Sequence, residues 1–319
     1  MSEDPEPTGG VMRNLSAGFT LIELLVAAAI TVLIAGVLTG LISTALTNWN
    51  RSQGALTTEE QARAALDRLE QDLSGAICRD DGNVWLAATV QSDASASGVW
   101  VNGAKPGAAS LYQAAPNLAD ARFGIAGVWL RFFATVPAAN ARELAAPVAV
   151  SYQIVRRAPT ISGTSCEYLL YRSEVTASAT LAAGYDLGAL AYTTASDVEG
   201  STGNVVRPGY RQVLADNVID FGVRFYAFGP DPATGGPQLQ QIFPVEATDL
   251  EYRVPRSVAA NSSQRFPSVV EVLLRILTEE GARRVAALEA GQITGDWWAI
   301  ASANSKVFVR RIQLKADSP

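Results

Sequence analysis

The sequence contains no histidine. That removes Ser-His-Asp and Cys-His catalysis, histidine-ligated zinc and histidine as a general base. Cysteine is scarce too: Cys78 and Cys166 are the only two, too few for a zinc ribbon or an iron–sulfur cluster. Charged residues make up 18% against 48% hydrophobic, which excludes a disordered tail. Positive charge is in deficit. Lys plus Arg number 25 and Asp plus Glu 31, a formal net charge of −6, whereas a chain built to coat nucleic acid is basic. No nucleic-acid partner is expected. The composition is also not that of a multi-span membrane protein. Carboxylate, lysine or tyrosine chemistry stays open, but the chain shows no catalytic constellation. The expectation is no enzyme, no metal and no cofactor.

What is present is concentrated at the N-terminus. Residues 1–18 are polar, and the character changes at Phe19. From Phe19 to Leu46 there are 28 residues with one ionisable group, Glu23, and Leu24–Leu46 carries no charge. As a helix this run would be about 42 Å long, enough to cross a hydrocarbon core of roughly 30 Å. A secretory signal peptide fits less well, because the run is too long and the break in composition lies before it. Glu23 is the exception in the run. A carboxylate in a membrane helix costs on the order of 2.5–3.5 kcal/mol on insertion scales. No Lys or Arg lies between Phe19 and Asn50 to pair with it. A new amino terminus at Phe19 would supply the missing cation, on the same chain or on a neighbour. The alternative is a carboxylate held in the headgroup layer at the helix end.

Gly18-Phe19-Thr20-Leu21-Ile22-Glu23, preceded by a short leader with Arg13 and followed by the apolar run, resembles the class III signal of type IV pilins and type II secretion pseudopilins. The resemblance implies that a prepilin peptidase cuts between Gly18 and Phe19, that Phe19 is N-methylated, and that Glu23 pairs with the terminal amine of an adjacent subunit. Met12 would give a seven-residue leader and is the alternative start to Met1. The implied partners are the peptidase, other pilin or pseudopilin subunits and the inner membrane. The head is expected outside the cytoplasm.

Residues 48–79 read as an amphipathic continuation of the helix. Leu66, Leu69, Leu73 and Ile77 form its apolar stripe, and Glu59/Arg63 and Arg68/Asp72 are i,i+4 pairs on its polar side. Beyond it, alternation and β-branched residues predict strands at 84–90, 128–133, 148–157, 167–175, 218–228, 249–254, 268–277 and 306–314. One short helix is predicted over 278–290, with Val285 and Leu288 as its apolar contacts. Ser92–Ser110, Thr176–Asn204 and Gly229–Gln240 read as long loops. The expected organisation is therefore a leader over 1–18, a membrane and assembly helix over 19–47, its amphipathic continuation over 48–79, and a β-rich head over 80–319. The fold class is α+β, a long helix packed on an antiparallel sheet. A head this large is similar to those of minor subunits. The segments 218–226, 266–277 and 308–312 resemble late strands of J-type minor pseudopilins and W-type minor pilins.

Four further features are read conservatively. Asp80, Asp81 and Asn83 lack EF-hand spacing and read as a turn rather than a calcium site. Trp297, Trp298, Tyr168 and Tyr171 read as packing rather than a sugar platform. Arg156-Arg157, Arg283-Arg284 and Arg310-Arg311 read as solvated faces rather than a DNA track. Without residues 1–18 the chain still holds 24 basic and 28 acidic residues. Cys78 and Cys166 are 88 residues apart, and a bridge between them, worth roughly 4–5 kcal/mol of loop closure, is left open. The functional expectation is a minor pilus or pseudopilus subunit at or near a filament tip, priming assembly or contacting cargo. An adhesin or DNA-uptake subunit using the long loops is the alternative.

Overall fold

The computed structural model describes residues 20–79, 81–91, 112–125, 127–135, 146–160, 162–163, 166–193, 205–206, 208–231, 234–254 and 265–315. The chain divides into two compact units, residues 1–52 and 53–319. Helix α1 (Leu21–Ser74) contributes to both. The second unit continues with β1 (Leu86–Val90), β2 (Val128–Ala134), β3 (Val148–Arg157), β4 (Glu167–Glu174), α2 (Ala177–Ala183), α3 (Leu190–Thr193), β5 (Val213–Asp216), β6 (Val218–Pro230), β7 (Pro237–Phe243), β8 (Glu251–Val254), β9 (Val269–Leu277), α4 (Glu279–Glu289), α5 (Trp297–Ala303) and β10 (Ser305–Gln313). All eight expected strands and the helix near 279–289 are present. The fold is α+β.

The strands form two antiparallel sheets instead of the single sheet expected, one in the order β5-β4-β3-β2-β1-β8 and one in the order β10-β9-β6-β7. Period-two alternation explains the core between them. Leu86, Ala88 and Val90 of β1, Leu130 and Phe132 of β2, and Val150, Tyr152 and Ile154 of β3 point to one side. They meet Phe221, Val223 and Phe225 of β6 and Val270, Val272 and Leu274 of β9. Ala62, Ala65, Leu66, Leu69 and Leu73 of α1 enter the same core at three- and four-residue steps. Each buried leucine there is worth about 1.5–3 kcal/mol. The six-stranded sheet is buried on its other face as well. Trp85, Ala87, Trp129, Phe133 and Ala149 pack beneath Leu187, Tyr192, Val205 and Val206.

Three boundaries differ from the sequence expectation. The helix stops at Ser74, so Ile77 and the rest of 75–79 are not helical. Gly75 N–H turns back to the Asp72 carbonyl, and Ile77 N–H bonds the Phe133 carbonyl at 2.9 Å. A side chain on Gly75 would meet the Thr135 carbonyl oxygen at 2.6 Å, so this close approach needs glycine. The stretch read as a loop from Thr176 holds α2 and α3, with Thr176 capping α2 through a bond from Ala179 N–H. The stretch read as a loop from Gly229 to Gln240 is largely the β6–β7 hairpin, closed by Asp231 N–H to Gly236 carbonyl at 2.7 Å. The loop expected over 92–110 lies outside the described residues.

Candidate functional site

The site begins at the first described residue, Thr20. Gly18 and Phe19, the two residues of the expected cut, lie outside the described residues. Thr20 precedes the first residue of α1, and Glu23 is the third residue inside it. Thr20 N–H and hydroxyl donate to Glu23 Oε2 at 3.0 and 2.9 Å, and Glu23 N–H donates to Thr20 Oγ1 at 3.3 Å. This reciprocal arrangement is a capping box, and it fixes the start of the helix. The Thr-x-x-Glu spacing is its sequence signal. Glu23 therefore serves its own helix end while its carboxylate stays exposed.

The helix beyond it is apolar on all sides. Leu21–Leu46 is 26 residues long and apolar enough to cross a membrane. Leu21, Ile22, Leu24 and Leu25 are more than 60% exposed, so none of the described residues covers them. The hydroxyls of Thr31, Thr39 and Thr44 each donate to the carbonyl four residues back, at 2.8, 2.8 and 2.9 Å. Their polarity is absorbed by the helix itself, as hydrocarbon requires.

The remaining candidates lie in the second unit. Asp81 accepts from Trp85 Nε1 at 2.8 Å and from Asn83 N–H at 3.0 Å, which makes it the anchor of a turn. Asp80 lies outside the described residues. Among the described residues no group of three or more acidic or thiol side chains has the arrangement of a metal site. Tyr168 and Trp297 are buried with Val285 and Ala301, so they pack the end of the fold. Glu289 ties that end together. It accepts from Arg156 and from Tyr168, both at 2.6 Å, and from Trp297 Nε1 at 2.9 Å. Tyr171 packs with Val155 and Leu169, and its hydroxyl accepts from Arg157 Nε at 2.5 Å.

The basic pairs divide. Arg283 and Arg284 are exposed, as expected. Arg157, against expectation, is fully buried, with Tyr171 and Tyr210 rings each 4.3 Å from its guanidinium and a bond to the Pro208 carbonyl at 2.7 Å. Arg310 reaches Asp67 and Glu70 on α1. Asp72, expected on the polar side of the helix, is 2% exposed and bound to Arg172 and Tyr152.

The cysteines stand at opposite ends of β3. Cys78 follows Ile77, which bonds Phe133, the partner of Ala149; Cys166 precedes Glu167, the partner of Arg157. Eight residues of strand separate Ala149 from Arg157, about 26 Å. A disulfide spans at most about 7 Å between α-carbons. One chain in this fold does not close the bridge left open by the sequence.

Compared with known families, residues 13–39 match the prokaryotic N-terminal methylation motif. No match was found among curated proteins. The matched stretch contains the expected cut, Glu23 and about three quarters of the apolar run. The N-terminal segment is a class III signal of the pilin and pseudopilin family.

Proposed function

We propose that this chain is a minor subunit of a type II secretion pseudopilus or a type IV pilus. The observation that carries the reading is the methylation motif over residues 13–39, running directly into an apolar helix and on to a large α+β unit. A prepilin peptidase cuts between Gly18 and Phe19, and Phe19 becomes the methylated terminus. The apolar helix first holds the subunit in the inner membrane, with the β-rich unit outside the cytoplasm. It then packs beside the helices of other subunits, where the Glu23 carboxylate meets a neighbour's terminal ammonium. An ammonium and a carboxylate are each costly in an apolar bundle and are tolerated there as a pair. The size of the second unit favours a position at or near the tip, where the subunit primes assembly or contacts cargo. The chain acts as a substrate of the peptidase and a part of the assembly, with no chemistry of its own.

The test is the mass of the protein isolated from its host. The expected product begins with N-methyl-phenylalanine at Phe19, and replacement of Gly18 leaves the leader attached. An intact Met1 or Met12 terminus in cells with an active prepilin peptidase overturns the reading.

A further inference from the structure

Two arginines converge on one indole near α5. The Arg122 guanidinium lies 3.9 Å from the Trp298 ring centre and that of Arg275 lies 5.4 Å from it. Trp298 is backed by Trp297, stacked at 6.1 Å and itself 5% exposed, so the platform is fixed from below. Arg122 is held by its backbone pairing with Gln113, and Arg275 by its place in β9 between Asp220 and Val307.

Stacking uses the face of a guanidinium and leaves its in-plane N–H donors available. Among the described residues little uses them. Nε of Arg122 and Nε of Arg275 are buried with no hydrogen-bond partner among the described residues, so the donors left to face a ligand are the terminal nitrogens. Arg275 makes one long contact, to the Ala119 carbonyl at 3.5 Å. The two cations repel one another, and the nearby acids are committed elsewhere. Asp220 is fully buried and accepts from Phe123 N–H at 3.2 and 3.3 Å. Asp296 caps α5 through Ala299 N–H at 2.7 Å. Burial also pushes the Asp220 carboxyl up to about 7, which weakens it as a counter-ion at neutral pH.

The geometry points to a carboxylate-binding site formed by Arg122 and Arg275 over Trp298, which takes an aspartate or glutamate side chain presented by a partner protein. A guanidinium offers paired, parallel donors that match the two oxygens of a carboxylate. The charge of Asp296 nearby favours a monoanion over a phosphate dianion. The arginines and Trp298 are only partly buried, a shelf rather than an enclosing pocket. A shelf holds a residue that arrives on a larger surface better than a free small acid.

The experiment uses the full chain in detergent micelles, labelled with 5-fluorotryptophan, with the Trp298 resonance assigned from Trp298→Phe. The probes are a blocked Gly-Glu-Asp-Glu-Gly peptide, succinate and inorganic phosphate. The peptide is expected to shift the Trp298 resonance saturably and leave those of Trp85 and Trp129 in place. Arg122→Gln and Arg275→Gln are each expected to weaken binding at least tenfold. Arg122→Lys, which keeps the charge and loses the planar fork, is expected to weaken it several-fold with the Trp85 and Trp129 resonances unmoved, so a folding defect is told apart from a lost ligand. Absence of a saturable shift, or undiminished binding in the double glutamine variant, overturns the site. Phosphate binding as tightly as the peptide overturns the carboxylate assignment, and succinate doing so overturns the protein partner.

Discussion

One carboxylate on α1, that of Asp72, is gripped at two points by one guanidinium on β4, that of Arg172: Nε to Oδ2 at 2.5 Å and Nη2 to Oδ1 at 3.1 Å. Tyr152 of β3 adds its hydroxyl to Oδ2 at 2.6 Å, and Arg68 stands 3.5 Å from Oδ1. The contact joins the helix to two strands of the larger sheet. Burial and the Asp72 charge push the Tyr152 hydroxyl well above its usual range, so it stays a donor at every physiological pH.

Removing Asp72 should therefore be expensive. Asp72→Ala leaves a largely buried guanidinium with Glu174 alone, at 2.7 Å, and a buried phenol without its acceptor, and a loss of about 1–3 kcal/mol is expected. Urea unfolding of the full chain in micelles measures it. Adding Arg172→Met should recover part of the loss, since the half-paired charge goes with it. If the single change costs less than about 1 kcal/mol, the contact is not holding the helix.

That contact also shows where sequence reading ended. The eight expected strands were legible because alternation survives wherever a strand borders the core, as in Val148–Arg157. Strand β5 has only four residues and β7 reads Pro-Gln-Leu-Gln-Gln-Ile-Phe; both are sheet edges, where little apolar patterning is imposed. The second sheet is not legible because alternation marks a strand and says nothing of which strand it pairs with. Asp72 sits at i,i+4 from Arg68, so the local pair looked sufficient; its real partner is 100 residues away. Arg157 looked solvated because an arginine pair says nothing of the tyrosines that enclose it. The N-terminal segment was the reverse case. Its signal is local and needs no tertiary contact, so the motif over residues 13–39 is legible without the fold, while the Thr20 half of the capping box is the part that sequence reading leaves out.

Gly222 lies under an aromatic ring. A Cβ there would meet Phe123 carbons at 2.1 and 2.2 Å, and Phe123 is itself fully buried beside Tyr112, with ring centres 4.6 Å apart. The ring has nowhere to retreat without displacing Tyr112. Gly222→Ala should destabilise by about 1–3 kcal/mol through overpacking. Combining it with Phe123→Leu should cost less than the sum of the two single changes, measured as a double-mutant cycle.

Asp220 should give the fold a pH dependence of defined sign. Its carboxyl is raised to about 7 from 3.8, chiefly by burial, with Arg275, Phe123 N–H and Arg122 opposing. The folded state then binds the proton more tightly than the unfolded chain. The stabilisation is fully present below about pH 4 and is lost as pH rises through about 7. Asp220→Asn keeps an acceptor for Phe123 N–H and cannot ionise. Between pH 4 and 8 its stability should fall less than that of the unaltered protein, by on the order of a few kcal/mol. Parallel curves for the two proteins would mean that Asp220 is ionised throughout.

Glu23 should matter for assembly and not for insertion. The run that follows it is apolar enough to enter a membrane unaided, so Glu23→Ala should insert as well as the original or better, since a charge is removed. Cleavage should survive, because it depends mainly on Gly18. Two losses remain to be separated: the capping box with Thr20, and the charge offered to a neighbour. Glu23→Gln separates them. Glutamine at this position still accepts from the cap residue's N–H, so the helix start is kept, but it carries no charge for a terminal ammonium. Glu23→Asp keeps the charge with a shorter reach and should be intermediate. If charge pairing governs docking, the alanine and glutamine variants should both be processed, membrane-bound and poorly co-purified with partner subunits. If helix capping governs it, glutamine should assemble like the original and alanine should not. Normal assembly of both would leave Glu23 as a capping carboxylate with no part in docking.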